Sequence, residues 1–214
     1  MISKKSLLQP LAVAALLCFA GASQAALTVY TSQASFLAAV ASPGVDTYTG
    51  FSITGTTPSP LNRTAGPYAY TAAVSTTSFF GAGTTGNPWL STNTATDSIT
   101  FNAFGGGARA IGGNFFGSNV AGLFQAGNVT LVATDSLGAT STQTITGATV
   151  TSFLGFVSNG TMTSLVLSSV QPSPTTFLWP TADNLTLAVP EPGTYALMLA
   201  GLGAVGFLAR RRRG

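Results

Sequence analysis

Residues 152–169 read SFLGFVSNGTMTSLVLSS. Two β-prone runs, rich in Phe, Val, Leu and Thr, flank Asn159-Gly160. Both turn residues tolerate positive φ, which suits the type I′ turn of a two-residue hairpin. The spacing therefore predicts two antiparallel strands joined at Asn159-Gly160, and the same alternation recurs on both sides of this stretch.

YAYTAAV at 68–74 places Tyr68, Tyr70, Ala72 and Val74 on one face, and SITFNAF at 98–104 does the same for Ile99, Phe101 and Ala103. NVTLVATDSLGATSTQTIT at 128–146 reads as two strands joined across Asp135-Ser136-Leu137-Gly138. NLTLAV at 184–189 supplies a last strand and Leu27–Tyr30 a first one. Only SQASFLAAV at 32–40 has helical spacing: Ser32 can cap a short helix that buries Phe36, Leu37 and Val40 and stops before Ser42-Pro43-Gly44. With about nine to eleven short strands and no fixed repeat, the chain is expected to be all-β, a jelly-roll-like β-sandwich with one short amino-terminal helix.

Charge is concentrated at the ends. Of eight basic residues, Lys4, Lys5 and Arg210–Arg213 are terminal. The body keeps Arg63 and Arg109 against Asp46, Asp97, Asp135 and Asp183, a net charge of −2. Nucleic-acid binding needs clustered Lys and Arg to neutralise phosphates, so the basic pI of 9.4 does not indicate it.

Residues 1–25 read as a cleavable secretory signal. Lys4 and Lys5 form the positive region, Leu7–Ala20 the apolar region, and Ser23-Gln24-Ala25 a small-x-small cleavage site, with Ser23 and Ala25 the recognised positions. The apolar run of about 14 residues is short for a membrane span of about 20. Cys18, the single cysteine, lies within this segment. Once it is removed, the body (26–188) has neither Cys nor His, which excludes disulfides, thiol nucleophiles and nitrogen–sulfur zinc sites.

Residues 189–214 form a second unit. Thr194–Ala209 is uncharged and mostly apolar, and as a helix would measure about 24 Å, a short transmembrane segment. Arg210, Arg211, Arg212 and Arg213 follow and belong on the cytoplasmic side. Pro190, Glu191 and Pro192 precede it, and the two prolines favour an extended segment from Val189 to Gly193 just outside the membrane. Pro-Glu-Pro, then a short apolar helix, then an arginine cluster resembles the PEP-CTERM sorting signal. That resemblance implies export in a Gram-negative bacterium through the translocon and signal peptidase, transient anchoring in the inner membrane, and processing by exosortase. It implies Pro190, Glu191 and Pro192 as recognition motif, Arg210–Arg213 as retention elements, and a destination at the cell surface or outside the cell, in exopolysaccharide or biofilm matrix. The catalytic machinery would belong to the partner enzyme.

Within the body the residues point away from catalysis. A glycosidase needs two carboxylates roughly 5 to 10 Å apart, and the four aspartates sit at expected turns or strand starts, where aspartate commonly bonds local backbone. No cofactor is expected. Calcium is the one ion such residues could hold, with Asp183 the foremost candidate. GGGARAIGG at 105–113 lacks the Lys-Ser/Thr and the helix that a phosphate loop requires. Tyr68, Tyr70, Trp89 and Trp179 could instead form a sugar-binding platform, which keeps a carbohydrate-binding module as the alternative; the competing reading is that they complete the core.

Overall fold

The computed structural model describes residues 27–76, 78–191 and 201. In chain order the elements are β1 (Leu27–Tyr30), α1 (Gln33–Ala38), β2 (Val40–Asp46), β3 (Thr56–Pro58), β4 (Leu61–Ala65), β5 (Tyr68–Val74) and β6 (Ser78–Thr84). There follow β7 (Asn87–Thr92), β8 (Ile99–Asn102), β9 (Ala110–Ser118), β10 (Phe124–Gln125) and β11 (Gly127–Asp135). The last four are β12 (Thr140–Ala148), β13 (Phe153–Ser158), β14 (Met162–Val170) and β15 (Trp179–Pro190). Among the described residues this exceeds the expected strand count, because short edge pieces such as β3 and β10 carry no alternation of their own.

The strands form two antiparallel sheets. A nine-stranded sheet has the order β1-β13-β9-β15-β7-β6-β3, with β10 beside β9 and β2 beside β15. A six-stranded sheet has the order β12-β11-β14-β8-β5-β4. Their inner faces meet in one core: Tyr70, Phe101, Leu131 and Leu165 from the smaller sheet against Leu90, Ile111, Phe115 and Leu185 from the larger. Each fully buried side chain of this size contributes about 2 kcal/mol. The all-β, two-layer expectation therefore holds, and β5 follows its predicted face, with Tyr68, Tyr70 and Ala72 buried. The Asp135–Gly138 connection is also as expected, joining β11 and β12 as adjacent antiparallel strands.

The expected hairpin at Asn159-Gly160 does not form. β13 pairs with β1 and β9 in the larger sheet, whereas β14 pairs with β11 and β8 in the smaller one. The connection is thus a corner between sheets, and neither Asn159 nor Gly160 adopts positive φ. The cause is visible in β13, whose Phe153–Phe156 are buried on both faces. One face meets the core; on the other, the Phe36 ring lies over Gly155, where a Cβ would sit 2.5 Å from it. Asp135 stabilises the corner by accepting the Ser158 hydroxyl, and the Gly160 N–H donates to Ser158 Oγ at 2.8 Å.

Three smaller expectations are corrected. β8 ends at Asn102, and Ala103 is exposed at φ 51, so it does not continue the face of Phe101. Leu37 is 39% exposed rather than buried, although the helix does stop before Ser42-Pro43-Gly44, which lies inside β2. Ser32 precedes α1 in extended conformation but makes no side-chain cap.

Candidate functional site: where the last strand leaves the sheet

β15 is the longest strand described, and it crosses the centre of the nine-stranded sheet. β9 lines one edge from Trp179 to Ala188; β7 lines the other edge at Thr181–Ala182, and β2 takes over from Leu185 to Pro190. Asn184, at φ 52, marks the irregularity between Asp183 and Thr186 that shifts the register on β9. The alternation of Leu185 and Leu187 then buries the inner face as far as the exit.

A second apolar cluster holds that exit. Phe36, Val40, Ala110, Phe153 and Ala188 pack together on the outer side of the sheet. The Phe36 and Phe153 rings pack at a tilt of 54°, 5.4 Å between centroids, fixing α1 against β13. α1 in turn places its C-cap residue Ala39 beside the strand end. Val189 pairs with Ala41, Pro190 pairs with Val40, and the Glu191 N–H donates to the Ala39 carbonyl at 3.0 Å. On the other edge the last contact is the Arg109 N–H to the Ala188 carbonyl at 2.9 Å. Residues 189–191 are therefore extended, as expected, but held against β2 on one edge rather than open on both.

The amino-terminal strand reaches the same end of the sheet. Thr28 pairs with Val157, Val157 with Ala110, and Ala110 with Ala188, a single row across β1, β13, β9 and β15. Every step is antiparallel, so β1 enters the sheet at the end where β15 leaves it. Three strand spacings separate them, roughly 14 Å.

Residues 188–213 match the family described as PEP-CTERM protein-sorting motif. This stretch is a PEP-CTERM sorting signal. It marks the chain as an exosortase target, exported and sorted to the cell surface. The motif begins at Ala188, which is fully buried, so PEP-CTERM signal and sandwich overlap through Glu191. The expected boundary after residue 188 falls inside β15. Of the recognition residues, Pro190 and Glu191 are placed; Pro192, the helix expected over 194–209 apart from the helical Gly201, Arg210–Arg213, and the signal segment with Ser23 and Ala25 lie outside the described residues. Among the described residues no helix is long and apolar enough to cross a membrane. No curated protein and no solved structure matches the chain.

The four aromatic candidates are not brought together. Tyr68 and Tyr70 are buried on the inner face of the six-stranded sheet. Trp89 lies in the other sheet, edge-on to Phe116 at 4.9 Å, and Trp179 starts β15 with Phe177 at 6.3 Å. Trp179 lines a surface groove beside Phe80, Asn93 and Asn119.

The four aspartates have different hydrogen-bond partners, although Asp46 and Asp183 both lie near the buried Tyr48. Asp46 accepts two hydrogen bonds from Arg63, at 2.6 and 2.7 Å, and one from the Tyr70 hydroxyl at 2.7 Å. Burial opposes its charge, but Arg63, Tyr70 and the Tyr48 N–H together hold its carboxyl below the ordinary value. Asp97 accepts from the hydroxyls of Ser75 and Thr76 at 3.0 and 2.8 Å. Asp135 accepts from Ser158 and from the Leu137 and Ala139 N–H groups; burial is again outweighed and the carboxyl is pulled down. Asp183 receives the N–H of Asn184 at 2.8 Å and its side-chain amide at 3.1 Å, and here burial wins and pushes the carboxyl up. A carboxylate that burial already disfavours would welcome a cation, yet among the described residues no three acidic groups gather around it.

The sorting motif was legible in the sequence, whereas its attachment was not. The partners of Glu191 and Pro190 are Ala39 and Val40. Neither carries a chemical signature, and only the sheet register brings them there.

Proposed function

We propose that this protein is a non-enzymatic surface or extracellular-matrix protein, exported by its amino-terminal signal and released or attached after exosortase removes its tail. In this reading a helix over residues 194–209 holds the carboxy-terminus in the inner membrane, with Arg210–Arg213 on the cytoplasmic side. The jelly-roll-like body stands outside and joins exopolysaccharide or biofilm matrix. The observation that supports it best is the row from Thr28 to Ala188. Both membrane-directed segments leave one end of one sheet, so the sandwich can complete its folding while both are still held at the bilayer. Each of the four aspartates accepts hydrogen bonds from the chain's own groups, which favours a structural role for them over a catalytic one.

The test is the mass of the protein from cells with and without exosortase. Accumulation of a membrane-bound form ending at Gly214 only when the enzyme is missing supports the reading. The same tail-bearing mass in both strains returns the chain to a permanent anchor.

A carbohydrate-binding module is the second reading, favoured by the groove that places Trp179 and Phe80 beside Asn93 and Asn119. Aromatic faces pack against the C–H face of a sugar while amides bond its hydroxyls. Saturable glycan binding abolished by Trp179→Ala would establish it; its absence across a glycan array would leave the matrix role alone.

A further inference from the structure

A sheet edge exposes unpaired backbone groups, and proteins blunt such edges with short strands, prolines, bulges or charges. Most edges here are blunted in this way. β1 has four residues, and β3 has three and ends in Pro58. β4 has five residues, includes Arg63 and lies between Pro60 and Pro67. β2 contains Pro43 and a left-handed Ser42 at φ 50.

β12 is the exception from Thr140 to Ile145. It is nine residues long, TSTQTITGA, without proline or charge; its one irregularity lies at the end, at Gly147 with φ 60, and among the described residues it is paired only with β11. Its register runs unbroken from Ile145 opposite Val129 to Thr140 opposite Thr134. The neighbouring outer surface is equally uncharged: Thr140, Thr134, Ser164, Asn102, Thr71 and Asn62 form one row across all six strands.

We propose that β12 is a self-association edge, and that two copies of this chain pair through it as a closed dimer. A two-fold axis perpendicular to the sheet sets β12 antiparallel to its own copy. Thr then meets Thr or its neighbours across the junction, as it already does within the chain, where Thr130 and Thr144 share a hydrogen bond at 3.0 Å. A neutral edge brings no repulsion between identical copies, and it offers no charge by which a different partner would be selected. A groove of about 420 Å³ runs beside this edge, lined by Gln143, Ile145, Phe153 and Leu154. A strand added at β12 extends the sheet over that opening and shelters Ile145. The contact is isologous, so it stops at two copies and joins the six-stranded sheets into one continuous layer. The inference is independent of the processing reading.

Light scattering on the exported protein tests it. The expected result is twice the monomer mass for the wild type. Thr142→Lys with Thr144→Lys, and the same pair changed to Glu, should each give monomers with unchanged circular dichroism, because both threonines are exposed. Mixing the Lys and Glu forms should restore the dimer. A monomeric wild type, a dimer that survives the Lys pair, a failure of mixing to restore it, or growth beyond two copies each overturns the proposal.

Discussion

Arg63 meets Asp46 edge-on, Nε to Oδ2 at 2.6 Å and Nη2 to Oδ1 at 2.7 Å, and so ties the edge strand β4 to β2 across the sandwich. The Tyr70 hydroxyl donates to the same carboxylate from β5, and the guanidinium lies 5.2 Å above the Tyr48 ring. With Asp46 5% and Arg63 18% exposed, loss of one partner strands the other away from water. Asp46→Ala is therefore expected to remove about 3 kcal/mol of stability, and Tyr70→Phe, which deletes one charge-assisted hydrogen bond, about 1.5 kcal/mol. Urea unfolding of both variants measures this. Equal losses would show that Tyr70, not Arg63, holds the carboxylate.

The aspartates give opposite pH signs. Asp46 and Asp135 are more acidic in the folded state than when unfolded. Their contribution is present above the unfolded carboxylate value of about 3.9 and is lost as pH falls through the folded values. Asp183 is raised, so the fold binds its proton more tightly. Its contribution is present below the unfolded value and disappears as pH rises through the folded one. Asp183→Asn should then leave stability at neutral pH unchanged or improved, where Asp46→Asn lowers it. Thermal melts across the acid range decide the matter, and a destabilised Asp183→Asn at neutral pH would show its negative charge to be needed.

What the sequence disclosed was whatever one strand shows by itself. The two-residue alternation of β5 needs no knowledge of its neighbours, and Tyr68 and Tyr70 went to the core face as that pattern requires. Asn159-Gly160 misled because a hairpin signal assumes two strands of one sheet. β13, covered by α1 on its outer side, was committed to the other layer. The Arg63–Asp46 pair joins residues 17 apart whose strands lie in different sheets, and no local spacing predicts that. The aromatics looked alike in sequence, but burial separates Tyr68 and Tyr70 from Trp179. The sorting motif was readable because its chemistry is contiguous, while its docking on Ala39 depends on register across the whole domain.

Gly44 lies where β2 passes β4. A Cβ built there would sit 2.1 Å from the backbone oxygen of Ala65, and neither backbone can rotate away as a side chain could. Gly44→Ala must push the strands apart, with an expected loss of about 3 kcal/mol. Because Gly44 pairs with Leu187, the disturbance reaches the end of β15. Hydrogen exchange at the Glu191 amide should quicken more than at Phe115 in the neighbouring β9. Uniform acceleration would mean that the whole domain, not the exit, had been weakened.

The position of the cut follows from the same exit. A protease binds its substrate as an extended segment whose backbone it must reach, and β2 occupies one edge of residues 189–191 through Ala41, Val40 and the Ala39 carbonyl. Cleavage before Val189 would also remove the paired segment that seats Ala188 in its apolar cluster. The mature protein is therefore expected to keep Glu191, with the scissile bond on its carboxyl side. Mass spectrometry of the carboxy-terminal peptide reads this directly: a terminus at Glu191 or a residue beyond it agrees, whereas one at Ala188, Val189 or Pro190 means that the enzyme first strips the strand from β2.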